Sequence, residues 1–262
     1  MPLSLFAPLD TLISTPPERA RVAFLAAQPF AHRGLHGGAR IENSRGAFAA
    51  AIALGHGIEL DVQAALGGEV FVFHDAELDR LTNQSGAIAD CTAHDLDLVT
   101  LKNSIETIPR LVEILALVKG QVPILIEVKA PDRGVGILCA GVRRALEGYQ
   151  GPVAIMSFNP DVGRWFDQHA PRTVRGLVMT EGGPQSGWAR IKARGLRHIA
   201  LWRAKPDFLA YDINDLPSPF ASAQRTRGLP ILTWTVRTAE QEHTAFAHAD
   251  EVIYEKPVAI TR

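Results

Sequence analysis

Gly57-Ile58-Glu59-Leu60-Asp61-Val62-Gln63 and Ile124-Leu125-Ile126-Glu127-Val128-Lys129 decide the fold. Each reads as a short apolar strand with charged residues at its C-terminal end. Strand side chains alternate faces with a period of two, so Glu59 and Asp61 project to one side, as do Glu127 and Lys129. Two further strands end in the same way. Pro29-Phe30-Ala31 runs into His32-Arg33, and Val70-Phe71-Val72-Phe73 runs into His74-Asp75. Polar groups gathered at the ends of several strands are the habit of (β/α)8 barrels, whose chemistry sits where strands end and βα loops begin.

Outward from these stretches the chain alternates apolar strands with amphipathic helices, the pattern of a parallel sheet. Strands are expected near Pro29–Arg33, Gly57–Gln63, Glu69–His74, Ile124–Lys129, Val153–Ser157, Arg175–Thr180, Phe208–Asp212, Ile231–Val236 and Glu251–Tyr254. Helices are expected over Glu18–Ala27, Ser44–Leu54, Pro109–Val118, Gly136–Glu147, Pro160–His169, Gln185–Arg194, Pro219–Arg227 and Ala239–His248. Leu111, Ile114, Leu115 and Val118 keep the spacing of one buried helical face. The polar stretch Asp75–Asn103 breaks the rhythm and reads as an excursion above the barrel. The fold class is therefore α/β, a (β/α)8 TIM-type barrel with a small inserted segment after an early strand. One domain is expected over residues 1–262, with the insertion at about 75–103. A doubly wound open sheet fits the same alternation.

Composition narrows the class of function. The 262 residues are 47% hydrophobic and 21% charged, enough for a sizeable core. Basic and acidic residues number 27 and 28, a net charge of −1, which leaves no footprint for nucleic acid or an anionic membrane. The two cysteines, Cys91 and Cys139, read as free thiols of a reducing compartment. No signal peptide and no membrane-spanning run is read, so a soluble cytoplasmic protein without stable membrane insertion is expected. A homo-oligomer stays open.

Three carboxylates and a lysine aimed into an apolar barrel mouth need charge compensation. A divalent cation with Glu59, Asp61 and Glu127 as ligands supplies it, and all-oxygen ligation favours Mg²⁺ or Ca²⁺ over zinc. Ion pairs at strand ends are the bland alternative for each residue singly; four strand ends with one habit weigh against it.

The motifs resemble those of glycerophosphodiester phosphodiesterases. The resemblance rests on His32-Arg33-Gly34 with Glu42-Asn43, on Glu59-Leu60-Asp61 and on His74-Asp75 followed by Leu78, Arg80 and Thr82. It continues through Ile108-Pro109-Arg110-Leu111, Glu127-Val128-Lys129 and Trp234-Thr235-Val236, from about Phe30 to Pro257. It implies hydrolysis of a small-molecule glycerophosphodiester to glycerol 3-phosphate and an alcohol on a barrel with an inserted segment. It implies Glu59, Asp61 and Glu127 as metal ligands and His32 and His74 as the acid/base pair. The sequence does not assign the two roles; His32 as base and His74 as acid is the preferred reading. Arg33 and Lys129 would hold the phosphate, and Trp234 would line the glycerol side. Departures fall at Ala65-Leu66-Gly67-Gly68, Ile41, Ser44, Arg237 and Glu255. They spare the metal ligands and both histidines, but Arg237 and Glu255 border the pocket and bear on the leaving group.

Some residues read two ways. Glu42 and Asn43 either touch substrate hydroxyls or cap the helix beginning at Ser44. Trp234 on periodicity alone is a core residue. His36 reads as loop polarity. His56, His94, His169, His198, His243 and His248 read as surface residues, and Asp212 and Asp215 as solvated strand ends. Competing functions are a lysophospholipase D-like phosphodiesterase, which needs an apolar channel beside the metal, and a non-catalytic phosphate-binding barrel. Replacement of a histidine or metal carboxylate would favour the latter, and none is replaced. A Mg²⁺-dependent lyase or aldolase would use Lys129 as its base, and the histidine pair argues against it.

Overall fold

The computed structural model describes residues 7–130, 134–182 and 187–255. Among these described residues, nine strands follow in chain order: β1 (Phe30–Ala31), β2 (Gly57–Ala64), β3 (Val70–Val72), β4 (Ile124–Val128), β5 (Val153–Ser157), β6 (Val174–Met179), β7 (Phe208–Asp212), β8 (Ile231–Val236) and β9 (Glu251–Tyr254). All but β3 run parallel, and the β1–β2 pairing closes them into an eight-stranded barrel with helices between the strands. The open doubly wound sheet is thereby excluded.

Strand parity divides the apolar residues into two cores. Phe30, Leu125, Ala154, Met156, Val178, Phe208, Leu232 and Ile253 fill the barrel, while Ile58, Leu60, Val62, Ile126, Ile155 and Leu209 face the surrounding helices. Glycine makes room inside. Gly57 pairs with Phe30 and Gly176 with Phe208, and a Cβ on either glycine would meet the paired ring at 2.5 Å or 2.3 Å. Each ring is wholly buried, a contribution of roughly 2–3 kcal/mol from removed apolar surface.

Several helices begin where capping chemistry puts them. Asn159 and Ser218 accept backbone N–H bonds ahead of Pro160 and Pro219, and Thr238 caps Ala239–His248. The helix expected from Gln185 is described from Gly187 and runs on to Ala204; Gln185 and Ser186 lie outside the described residues. The Glu18–Ala27 stretch is a short helix, Arg19–Val22, that tightens into a 3-10 turn over Ala23–Ala26. A helix over Ala7–Ile13 was not expected.

The main correction concerns β3. It is not a barrel stave: it pairs antiparallel with β2, Val62 opposite Val72. The departure from the barrel therefore starts with β3 rather than at Asp75. The segment is also less polar than its composition suggests. Phe71, Phe73, Leu78, Ile88, Leu96, Val99, Leu101 and Ile108 form a small core of its own.

Candidate active site

The three carboxylates converge. Glu59 and Asp61 lie on one face of β2, each 1% exposed, and the β2–β4 register sets Asp61 opposite Glu127. One oxygen from each of the three lies within 4.8 Å of the others. Lys129 Nζ stands 2.6 Å from Glu127 Oε1 and 3.0 Å from Asp61 Oδ1, and Arg33 Nε 3.1 Å from Asp61 Oδ2. Burial pushes the Glu59 carboxyl well above the usual range, reinforced by the charges of Asp61 and Glu127. Asp61 is equally buried, but Lys129 and Arg33 more than offset this and hold its carboxyl low. Glu59 Oε1 is buried and hydrogen-bonded to none of the described residues. The donor set is all oxygen, and one donor lacks a partner, which fits a hard divalent cation.

The turn after β1 supplies the next groups. Arg33 adopts φ 54° and its backbone N–H donates to Glu59 Oε2 at 3.0 Å. Gly34 follows at φ 77°, where a Cβ would lie 2.9 Å from Ala47 and Phe48, so the turn packs directly on the helix Arg45–Ala53. His32 donates its backbone N–H to Tyr254 O at 2.9 Å. Burial, with Arg33 adding, pulls its imidazole down to about 3.

His74 reaches the carboxylates by the hairpin. Because β3 runs back along β2, Phe73 N–H donates to Asp61 O at 3.0 Å and Gln63 Nε2 to His74 O at 3.1 Å. His74 Nδ1 pairs with Asp75 Oδ1 at 2.6 Å. Burial lowers this imidazole too, with Asp61 and Asp75 opposing. Trp234, half-buried at the end of β8, donates its Nε1–H to Ala210 O at 2.9 Å and meets Phe158 edge to face at 5.4 Å.

Neither Glu42 nor Asn43 caps the helix. Ser44 is the helix cap, its Oγ accepting from Ala47 N–H at 3.1 Å. Asn43 is buried and donates Nδ2–H to Asp61 Oδ2 at 2.9 Å, while Asp61 N–H donates to Asn43 Oδ1 at 3.3 Å. Glu42 is occupied by two arginines: Arg33 Nη1 donates to its Oε1 at 2.8 Å and Arg80 Nη2 to the same oxygen at 2.7 Å.

The sequence pattern of the Glycerophosphoryl diester phosphodiesterase family matches residues 32–258. The chain belongs to that family. It is 29% identical over 230 residues to a glycerophosphodiester phosphodiesterase of Caldanaerobacter subterraneus subsp. tengcongensis, a match covering 82% of this chain and 89% of the relative. Over 107 residues it is 38% identical to a Bacillus altitudinis glycerophosphodiester phosphodiesterase, covering 38% and 43% of the two chains. Among solved structures, an Oleispira antarctica phosphodiesterase in complex with sn-glycerol-3-phosphate aligns with TM-score 0.74 at 22% identity, covering 88% and 93%. A Thermotoga maritima glycerophosphodiester phosphodiesterase aligns with TM-score 0.67 at 23% identity, covering 87% and 94%. These two structural matches carry the barrel fold; the family match carries the enzyme class, a phosphoric diester hydrolase.

In this phosphodiesterase one residue that sequence reasoning passed over links the two halves of the site. Arg80 donates to both Glu42 oxygens, at 2.7 and 3.0 Å, and to both Asp75 oxygens, at 2.5 and 3.0 Å. It thus braces Arg33 through Glu42 and His74 through Asp75. Arg80 stood in the quoted motif run, but nothing in spacing points to Glu42. His36, which reads in the sequence as loop polarity, has Nε2 3.5 Å from Glu255 Oε1. The resemblance ended at Pro257; Lys256 and Pro257 lie outside the described residues. No helix among the described residues is long and apolar enough to cross a membrane.

Proposed function

We propose that residues 1–262 act as one catalytic domain that hydrolyses glycerophosphodiesters to glycerol 3-phosphate and an alcohol. A divalent cation, Mg²⁺ or Ca²⁺, is held by Glu59, Asp61 and Glu127, and His32 and His74 move the protons. One observation carries this reading: three buried carboxylates, one with an unpartnered oxygen, converge beside two cations and two imidazoles at the C-terminal end of the barrel. Bound there, the cation supplies Lewis-acid stabilisation of charge on a phosphoryl oxygen.

The chain's own groups divide the remaining work. Arg33 offers a planar fork to phosphate oxygens and Lys129 a point charge, each turning from the carboxylates it now contacts. His32 takes the part of the base. It accepts the proton from the glycerol hydroxyl next to the ester while that oxygen bonds to phosphorus. The bond from phosphorus to the alcohol breaks, and His74, oriented by Asp75, protonates the departing oxygen. Water then reopens the cyclic phosphate with the histidine roles reversed. Attack by a tethered hydroxyl has an effective molarity on the order of 10⁵ M or more. Trp234 lies against the glycerol. The product bound in the Oleispira antarctica relative, sn-glycerol-3-phosphate, is the product expected here.

Beside Lys129 opens a cleft of about 600 Å³, lined in part by Ser157, Phe158, Asn159, Asp161 and Arg203. Its mixed charge favours a short polar alcohol over an acyl chain. The decisive assay measures glycerol 3-phosphate release from several glycerophosphodiesters and lysolipids with Mg²⁺, Ca²⁺ or chelator. Chelator and Glu59→Gln are each expected to abolish release while the protein stays folded; full activity in excess EDTA after dialysis would remove the metal. A substrate lacking the neighbouring hydroxyl should bind competitively without turnover, and its normal hydrolysis would rule out the cyclic route.

A further inference from the structure

We propose that His32, His36 and Glu255 form a second metal site, for a nitrogen-preferring divalent ion such as Zn²⁺, whose filling switches the phosphodiesterase off. The register of the barrel seam creates the site. β1 and β9 pair Ala31 with Tyr254, so the residues that follow, His32 and Glu255, leave the barrel side by side. The left-handed turn at Arg33 and Gly34 then brings His36 back over them. One donor atom from each of the three lies within 4.8 Å of the others, and His36 Nε2 is 3.5 Å from Glu255 Oε1. Donor atoms around a tetrahedral zinc stand about 3.4 Å apart, given bonds of about 2.0–2.1 Å. The His36–Glu255 pair already has that spacing, and closing the rest takes shifts of about 1.4 Å or less.

Two further observations point to a ligand. His32 Nδ1 and His36 Nε2 are both buried, and neither makes a hydrogen bond with any described residue. Arg237 Nε donates to Glu255 Oε2 at 2.5 Å, fixing the carboxylate with its other oxygen toward His36, as an outer partner of a metal ligand does. The donor chemistry separates this site from the acidic one. Glu59, Asp61 and Glu127 offer oxygen alone and select a hard ion, whereas two imidazoles and a carboxylate are donors that zinc takes. The guanidinium groups of Arg33 and Arg237 oppose a cation here. The site therefore fills when free zinc rises and is not permanently loaded.

Filling it holds His32 by a ring nitrogen, and an imidazole pinned by a dication is a poor proton acceptor. This inhibitory half rests on the role proposed for His32; the binding half does not. The test keeps Mg²⁺ saturating, sets free Zn²⁺ with a chelating buffer, and follows zinc binding by competition with a chromophoric chelator alongside turnover. The wild-type protein should bind one zinc and lose turnover at least tenfold in step with it. His36→Ala should turn over normally without zinc. Both His36→Ala and Glu255→Gln should bind zinc at least tenfold more weakly and need correspondingly more for inhibition, each relative to its own zinc-free rate. Equal zinc affinity in the wild type and both variants overturns the site. Binding that depends on His36 but leaves turnover untouched overturns the switch and counts against His32 as base.

Discussion

At the residue scale, position 43 shows how one side chain is assigned by its surroundings. Asn43 sits at φ 57°, a left-handed conformation that asparagine tolerates, and spends both ends of its amide on Asp61. A metal ligand held by a second residue loses orientation when that residue goes, typically by 10–100-fold in metal affinity. Asn43→Gly removes the amide without straining the backbone. On the proposed role of Asp61 as a metal ligand, it should weaken divalent-cation affinity about 10–100-fold, as read by titrating activity against Mg²⁺ and Ca²⁺, with far-UV circular dichroism unchanged. Unaltered affinity would reduce Asn43 to a turn residue. The same locality rule corrects His198, expected on the surface. It is 6% exposed, its Nδ1 2.8 Å from Asp10 Oδ1.

At the element scale, the β2–β3 hairpin and the segment beyond it deliver His74, Asp75 and Arg80 as a unit. Arg80 holds the Asp75 carboxyl down to about 2, and Glu42 is likewise depressed, burial opposing and Arg80 and Arg33 prevailing. A carboxylate with a lowered folded-state pKa contributes stability that is fully present above its unfolded value, about 4, and is lost as pH falls through the folded value. Arg80→Ala should therefore lower the melting temperature at pH 7, and the gap from wild type should narrow between about pH 4 and 2. Calorimetry across that window checks the sign; a gap that widens on acidification would be incompatible with the brace. Freed from Arg80, Asp75 orients His74 less well, and kcat should fall roughly 10–100-fold, the equivalent of one charged hydrogen bond. Arg80→Lys, which cannot fork onto two carboxylates, should recover only part of it.

At the scale of the whole molecule, the N-terminal helix is tied to the outer helices by one buried carboxylate. Asp10, 2% exposed, accepts from His198 Nδ1 and Trp202 Nε1 at 2.8 Å each and from Gln224 Nε2 at 2.9 Å. Removing an anion from such a cluster strands its donors. Asp10→Ala should cost about 3 kcal/mol in denaturant unfolding while kcat/KM at low temperature stays near wild type. Proportionate loss of both would mean that the clasp shapes the site as well as the fold. The alternation of strands and helices and the shared faces of Glu59 with Asp61 and of Glu127 with Lys129 were legible in the sequence, because periodicity and strand-end position are local properties. The alternation fitted an open sheet as well, and the β1–β2 pairing closed the barrel. β5, β7, β8 and β9 begin and end at the residues expected from the sequence. What followed from pairing was not legible. The reversed direction of β3, the turn of Asn43 onto Asp61, the reach of Arg80 to Glu42 and the meeting of His36 with Glu255 each join residues that no period connects. Closure of the barrel set β1 against β9 and the hairpin against β2, and only then did burial and charge decide which side chains face one another.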